Sequence, residues 1–245
     1  MSLPDRKSRR SKPDGYSSKD YWESRYQEVG GFHEWYFSYD NLQPLLVNHI
    51  SADDSVLEIG CGDSPLLTGM LASGHIGKLH AIDFSKSIIE KVVEDQSKVA
   101  PLSAGITYLE MDARSLIYDE ETWDRVIDKG TMDAMLCDKV TGFANGRALM
   151  SEACRVLRKA SGTVVFISHI QPDTAEFHDW MQKCLLPVLD EYRSSLWKIE
   201  AHICSTEESG SPTVYIITSK TRRFTRGSLM SSIVEMKVLS HSDSD

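Results

Sequence analysis

The sequence predicts an α/β protein: a single doubly wound sheet of seven strands, mostly parallel, finished by an antiparallel C-terminal hairpin. Three observations carry this expectation. Short apolar runs alternate with helix-period stretches between residues 55 and 169, the signature of parallel strands joined by right-handed crossovers. Several of those runs end in a carboxylate or enter a glycine turn. Near the C-terminus two strand-like runs flank a turn-rich segment, the pattern of a hairpin at a sheet edge.

The elements follow in order. SVLEIG (55–60) is a buried strand that enters a glycine turn and then the helical stretch SPLLTGMLAS. KLHAID (78–83) is the second strand and precedes the amphipathic SKSIIEKVVEDQSKV. ITYLEMD (106–112) is the third and WDRVIDKG (123–130) the fourth; the helix GRALMSEACRVLRK leads to the fifth, GTVVFISH (162–169). FHDWMQKCLLPVLDEY is a helix that Pro187 kinks or ends. SLWKIEAHIC and TVYIITSK, joined by STEESGSP, supply strands six and seven. Residues 1–14 are basic and hold two apolar side chains, so they are expected to be disordered. Residues 15–220 form one domain, and 221–245 read as a mostly disordered serine-rich tail in which SSIVEMKVL has the makings of a short element.

Composition narrows the function. The 245 residues are 41% hydrophobic and 26% charged, as in an ordinary globular protein. No apolar run approaches a membrane span of about 18 residues, and the N-terminus has no apolar signal core, so neither membrane embedding nor secretion is expected. The five cysteines are an odd number without a CxxC pair and the eight histidines are scattered, which supports neither a disulfide framework nor a metal site. A reducing, cytoplasmic setting is the natural reading; a mitochondrial presequence is less favoured, because residues 1–14 lack an apolar face. The net charge of −9 becomes −13 for residues 15–220 once +3 at the N-terminal end and +1 at the C-terminal end are set aside. An acidic body argues against nucleic acid and for a cationic partner. With no heptad and no long apolar stripe, a monomer is expected.

The strand ends carry the chemistry. In an open α/β sheet, ligands sit outside the carboxyl ends of the strands. Glu58-Ile-Gly60-Cys-Gly62 lies there, its glycines allowing a tight turn and close backbone approach to a ligand. Pro65 stands where a dinucleotide fingerprint would place a third small residue, which disfavours a nicotinamide oxidoreductase. Asp83 ends the second strand, 21 residues beyond Gly62, where a carboxylate can accept from both hydroxyls of a ribose. Asp112 ends the third and is placed to accept from an exocyclic adenine amine. One such acid is usually a helix cap; acids at successive strand ends beside a glycine turn indicate a nucleoside site.

VLEIGCGDS, HAIDFS, LEMDAR and DRVIDKGT together resemble the class I S-adenosylmethionine-dependent methyltransferases, which share a Rossmann-like sheet. YWESRYQ (21–27), HEWYFSYDNLQPLL (33–46) and IDKGTMDAML (127–136) resemble more narrowly the methyltransferase-like subfamily, which includes the lysine methyltransferases of elongation factor 1-alpha and of citrate synthase. The resemblance spans roughly residues 15–170; Asp63 stands where many relatives carry Asn.

That resemblance implies S-adenosyl-L-methionine as cofactor. Trp22, Tyr26 and Trp35 would wrap an N-terminal segment over it, their faces attractive to a sulfonium cation, or else serve simply as core. Glu58, Gly60 and Gly62 form the turn, with Gly60 against the methionine part. Asp83 and Phe84 would meet the ribose and its surroundings, and Asp112 with Ala113 the adenine. Lys129 would lie near the methionine end, or instead pair with Asp128 or Asp133. The expected substrate is a protein bearing a lysine, such as elongation factor 1-alpha, and the acids flanking KGTM, Asp128 and Asp133, are the candidate catalytic groups that orient the amine or take its proton. The absence of an NPPY-like sequence after the fourth strand argues against DNA and glutamine acceptors. A small-molecule acceptor and a non-catalytic scaffold are the alternatives.

Overall fold

Valine, leucine and isoleucine fill consecutive positions of the central strands because helices cover both faces of the sheet they form. The computed structural model describes residues 13–28, 34–98, 105–192, 195–204, 212–221 and 234–241. The first twelve residues of the expected basic tail, and residues 222–233 and 242–245 of the serine-rich one, lie outside the described residues.

A 3₁₀ turn (Pro13–Ser17) leads to α1 (Lys19–Glu28) and α2 (Tyr39–Leu46). The crossover region then runs β1 (Val56–Ile59), α3 (Leu66–Ala72), β2 (Leu79–Asp83), α4 (Lys86–Lys98), β3 (Ile106–Glu110), β4 (Arg125–Lys129), α5 (Thr131–Leu136), α6 (Gly142–Val156) and β5 (Thr163–Ser168). All four residues of β1 are buried. Side chains alternate faces along a strand, and two cores result. Leu57, Ile59, Val126 and Phe166 pack with Leu149, Met150 and Ala153 of α6. Val56, Ala81, Ile127 and Val165 pack with Leu42 of α2, Leu66 of α3 and Ile88 of α4.

The C-terminal third holds α7 (Ala175–Trp180), a π-helical turn (Met181–Leu185), α8 (Leu186–Glu191), β6 (Ser195–Cys204), β7 (Thr213–Thr221) and β8 (Val234–His241). The expected interruption at Pro187 takes the form of that π turn. Proline lacks an N–H and clashes with the carbonyl four residues earlier, and the wider turn before it relieves both problems.

The strand order is β3-β2-β1-β4-β5-β7-β6-β8. β1 to β5 pair in parallel, and β7 runs antiparallel to both β5 and β6, as the hairpin requires. The sheet has eight strands, one more than expected. Val234–His241, within the serine-rich tail, lies parallel on β6 in the register Trp197↔Val234, occupying the backbone donors and acceptors that the outer strand of a hairpin leaves open. The chain proceeds from β1 outward to β3 and then returns to β4 beside β1. The strand order therefore reverses between β1 and β4, where α/β sheets bind ligands.

Candidate functional site

At that reversal the carboxyl ends of β1, β2 and β4 open into a cavity of about 260 Å³. The glycine turn after β1 forms its floor. Gly60 (φ +62°) and Gly62 (φ +51°) both lie in the left-handed region, which residues with a Cβ rarely enter. Space makes the same demand: a Cβ on Gly60 would lie 1.9 Å from Thr131 Oγ1, and one on Gly62 would lie 2.8 Å from Tyr26 Oη.

Asp83 fastens this turn to the end of β2. Its Oδ2 accepts from the Gly62 N–H at 3.0 Å and its Oδ1 from the Ser85 N–H at 2.9 Å. Burial pushes its carboxyl up to about 6, against the pull of those two donors. Asp112 is more open, and Arg114 forks onto it with Nε at 2.9 Å and Nη2 at 2.6 Å, holding its carboxyl below the usual range. Arg114 also donates to Asn145 Oδ1 at 2.9 Å. Phe84 and Ala113 line the cavity wall.

Glu58 is fully buried, and burial pushes its carboxyl up to about 8 although the Lys129 charge opposes this. Lys129 donates to Glu34 Oε1 and, at 3.1 Å, to the Trp35 carbonyl. Its ion-pair partner is therefore neither Asp128 nor Asp133, the two expected choices, but a residue from the N-terminal segment. Glu34 Oε2 is buried with no hydrogen-bond partner.

The N-terminal aromatics cover the cavity and also pack on one another. Trp22 stacks on Tyr26 at 5.6 Å and meets Trp35 edge-on at 6.1 Å, while Tyr16 sits 5.9 Å from Trp35. Trp22 is buried, as the core reading expects, and it also lines the cavity. Glu23 pins α1 to the start of α4, accepting from the Lys86 N–H at 2.8 Å and the Ser87 N–H at 3.2 Å.

Every residue expected at the cofactor lines this one cavity; of the two expected catalytic acids, Asp133 does and Asp128 does not. Asp128 follows Val126 in alternation on the α6 face and is buried. Its carboxylate accepts from the Thr131 N–H at 2.9 Å and the Met132 N–H at 3.2 Å, so it caps the start of α5 and is spent on structure. Asp133, for which capping was the alternative role, is the one at the cavity. Its Oδ1 accepts from Ser168 Oγ and its Oδ2 from the Tyr36 hydroxyl and the His169 N–H at 3.2 Å, and the His169 ring pairs with it from Nδ1 at 3.1 Å.

Tyr36, Glu34 and His169 are site residues that sequence reasoning did not single out. The first two lie inside the EWY segment. His169 directly follows β5, so the strand-end argument applied to Asp83 and Asp112 would have found it had it been extended from acids to all titratable groups.

Comparison with known proteins bears on this geometry. A sequence profile described as a methyltransferase domain matches residues 56–160. Solved structures share the fold: a putative S-adenosyl-L-methionine-dependent methyltransferase from Methanococcus maripaludis (TM-score 0.55, 16% identity, 91% of this chain and 99% of that one), and magnesium protoporphyrin IX methyltransferase from Synechocystis (TM-score 0.55, 15% identity, 85% and 97%). Residues 56–160 thus match a methyltransferase domain, and the chain shares the fold of these S-adenosylmethionine-dependent methyltransferases. Among curated proteins it is similar to the eEF1A lysine and N-terminal methyltransferase of Xenopus laevis, with 29% identity over 85% of this chain and 29% of that protein. The Drosophila melanogaster homolog is 31% identical over 71% of this chain and 26% of its own length. The chain thus spans under a third of the length of these relatives.

S-adenosyl-L-methionine is the methyl donor of these methyltransferases, and the donor set here fits it. An anionic carboxylate at Asp83 suits a ribose diol and Asp112 suits an adenine amine. The unpartnered Glu34 Oε2, beside Lys129, suits the ammonium of the methionine part, and the Lys129 cation its carboxylate. The aromatic faces of Trp22, Tyr26 and Trp35 suit the sulfonium.

Proposed function

We propose that this methyltransferase is a protein-lysine N-methyltransferase whose acceptor is a basic protein of the eEF1A kind. The observation that carries the reading is the similarity to eEF1A lysine methyltransferases over 85% of the chain. The −13 charge of residues 15–220 suits a basic acceptor surface. In this reading Trp22, Tyr26, Trp35, Glu58, Gly60, Gly62, Asp83, Phe84, Asp112, Ala113 and Lys129 hold the cofactor, and Asp133 is the acid at the acceptor end.

When bound, the cofactor supplies an electrophilic methyl group on a sulfonium. The chain's residues have three tasks. Positioning donor and nucleophile in line supplies on the order of 7–11 kcal/mol. The aromatic cover of α1 excludes water. The third task is specific to lysine, because only the neutral amine attacks and deprotonating it at pH 7 costs on the order of 4–5 kcal/mol. The cavity offers desolvation together with fixed hydrogen-bonding groups in its wall for the amine.

The proposal carries with it a monomeric enzyme working in the cytoplasm without nucleic acid or membrane. It is tested by incubating the purified chain with methyl-labelled cofactor and either eEF1A or total cell protein, then mapping modified residues by mass spectrometry. Label on lysine side chains of protein is the expected result. Label confined to small molecules, or none at all, would overturn the proposal; fractionation and size-exclusion chromatography test the compartment and the monomer.

A further inference from the structure

Asp133 is buried, and its Oδ2 receives two donors, the Tyr36 hydroxyl and the His169 N–H, with the His169 ring pairing from Nδ1 at 3.1 Å. A carboxylate oxygen offers about two lone-pair sites, so Oδ2 is filled, while Oδ1 is turned to the fully buried Ser168. Asp133 is 6% exposed, so an amine arriving in the cavity meets little of this acid. The Tyr36 oxygen differs. Its hydrogen is committed to Asp133; His169 Nδ1 approaches one of its lone pairs, which leaves the other available. His169 carries a carboxylate at each ring nitrogen, Asp133 at 3.1 Å and Glu176 at 3.2 Å; its Nδ1 lies 3.4 Å from Tyr36 Oη and nearer to Asp133.

The backbone around Tyr36 is built to fix that oxygen. Tyr36 has φ +63°, a left-handed conformation that costs an aromatic residue on the order of 1–3 kcal/mol and persists where the surrounding structure enforces it. Its ring passes over Gly130, where a Cβ would come within 3.2 Å of it. Gly130 itself has φ +88°. Strain at one residue, a glycine clearing the space beneath its ring and an acid holding its hydroxyl all converge on a phenol that lines the cavity.

We propose that Tyr36 is the catalytic residue that receives the acceptor amine, its hydroxyl oxygen accepting an N–H hydrogen bond, and that Asp133 is its positioning residue. The inference rests on the protein-amine reading above. The nitrogen lone pair forms the new N–C bond while the C–S bond breaks, and that bond's electron pair stays on sulfur. Positive charge moves onto the nitrogen, so the N–H held by Tyr36 becomes a charged donor and its hydrogen bond strengthens as the reaction proceeds. The Asp133 anion, one hydrogen bond further on, supports that charge through the phenol. The methylammonium product gives its extra proton to water after release. Burial and the Asp133 charge push the Tyr36 phenol well above its usual range, so it keeps its proton and acts as an oriented acceptor rather than as a base.

The test uses the full chain, methyl-labelled cofactor and total protein from a cell lysate as acceptor, with S-adenosylhomocysteine binding measured by calorimetry. Tyr36→Phe keeps the ring and removes only the oxygen. It is expected to label the parent's acceptors roughly 10²-fold more slowly at saturating cofactor, with S-adenosylhomocysteine affinity preserved. The deficit should persist from about pH 7 to about pH 9.5, where much more of the amine is neutral, because the lost oxygen orients the amine rather than taking its proton. Asp133→Asn should lower kcat, and the double variant should be no slower than Tyr36→Phe alone, since one residue acts through the other. A parent-like rate for Tyr36→Phe, a deficit that vanishes at high pH, or additive losses would overturn the role of Tyr36 and leave the protein-amine reading standing. A parent chain that labels no protein would overturn that reading, and this inference with it.

Discussion

A Cβ placed on Gly60 would sit 1.9 Å from the Thr131 hydroxyl, which itself donates to the Ile59 carbonyl at 3.0 Å. The turn after β1 and the first residue of α5 are thus interlocked across the point where the strand order reverses. Gly60→Ala should therefore lose both stability and cofactor binding. The left-handed backbone and the overlap each cost on the order of 1–3 kcal/mol. Adding Thr131→Ala should relieve the worst of the overlap, though the residue 131 Cβ stays 2.9 Å away, and it should not relieve the backbone conformation, so calorimetry with S-adenosylhomocysteine and thermal melting should show only partial recovery in the double variant. Full recovery would mean that φ does not matter at this position.

Cofactor affinity should fall in acid. Burial raises the Asp83 carboxyl to about 6, and its role toward a diol requires the ionised form. As pH drops through 6 the carboxyl takes a proton and ceases to be a pure acceptor, so affinity should weaken by up to about tenfold per pH unit below that point. Asp83→Asn should bind weakly at every pH and lose this dependence. A binding isotherm that stays unchanged between pH 7.5 and 5 would contradict the assignment.

Asp128 and Asp133 should separate cleanly. Asp128→Ala removes the acceptor for two N–H groups at the start of α5 and should lower stability by about 1–2 kcal/mol, while the KM for the protein acceptor stays at the parent value. Chemical denaturation together with steady-state kinetics measures both. A raised KM at parent stability would return Asp128 to the acceptor site.

The His169–Asp133 pair should make stability depend on alkaline pH. The hydrogen bond to Asp133 raises the His169 imidazole from 6.5 to about 9, although partial burial opposes this. A raised folded-state value means that the stabilisation is complete below about 6.5 and is lost as pH rises through 9. The ring is half-exposed, so solvent screening reduces the effect to on the order of 1–2 kcal/mol. Urea unfolding at pH 6 and 9.5 should show the parent losing that much more than His169→Gln over the same interval. Equal losses would show that the pair contributes nothing.

Trp22, Tyr26 and Trp35 mark the boundary between what the residues imply locally and what the fold decides. Their types already pointed to an aromatic cover or an aromatic core, and only the packing reveals that they pack on one another and line the cavity. The glycine turn and the acids at 83 and 112 were legible because turn chemistry and strand period are local: a run of apolar residues must alternate faces, and the residue that ends it must lie at the sheet's rim. The eighth strand was half legible: SSIVEMKVL had the makings of a short element, but that it pairs with β6 depends on an open edge that no local pattern shows.

The sequence by itself determined the layered α/β architecture and the glycines and acids set along one rim of the sheet, because each depends on residues close together in the chain. Only the tertiary structure decided which of two acids lines the cavity, which partner Lys129 takes, and that a tyrosine 97 residues before Asp133 shares its carboxylate. Those pairings are set by the order of the strands, and no local period or propensity encodes which distant segment a given side chain will meet.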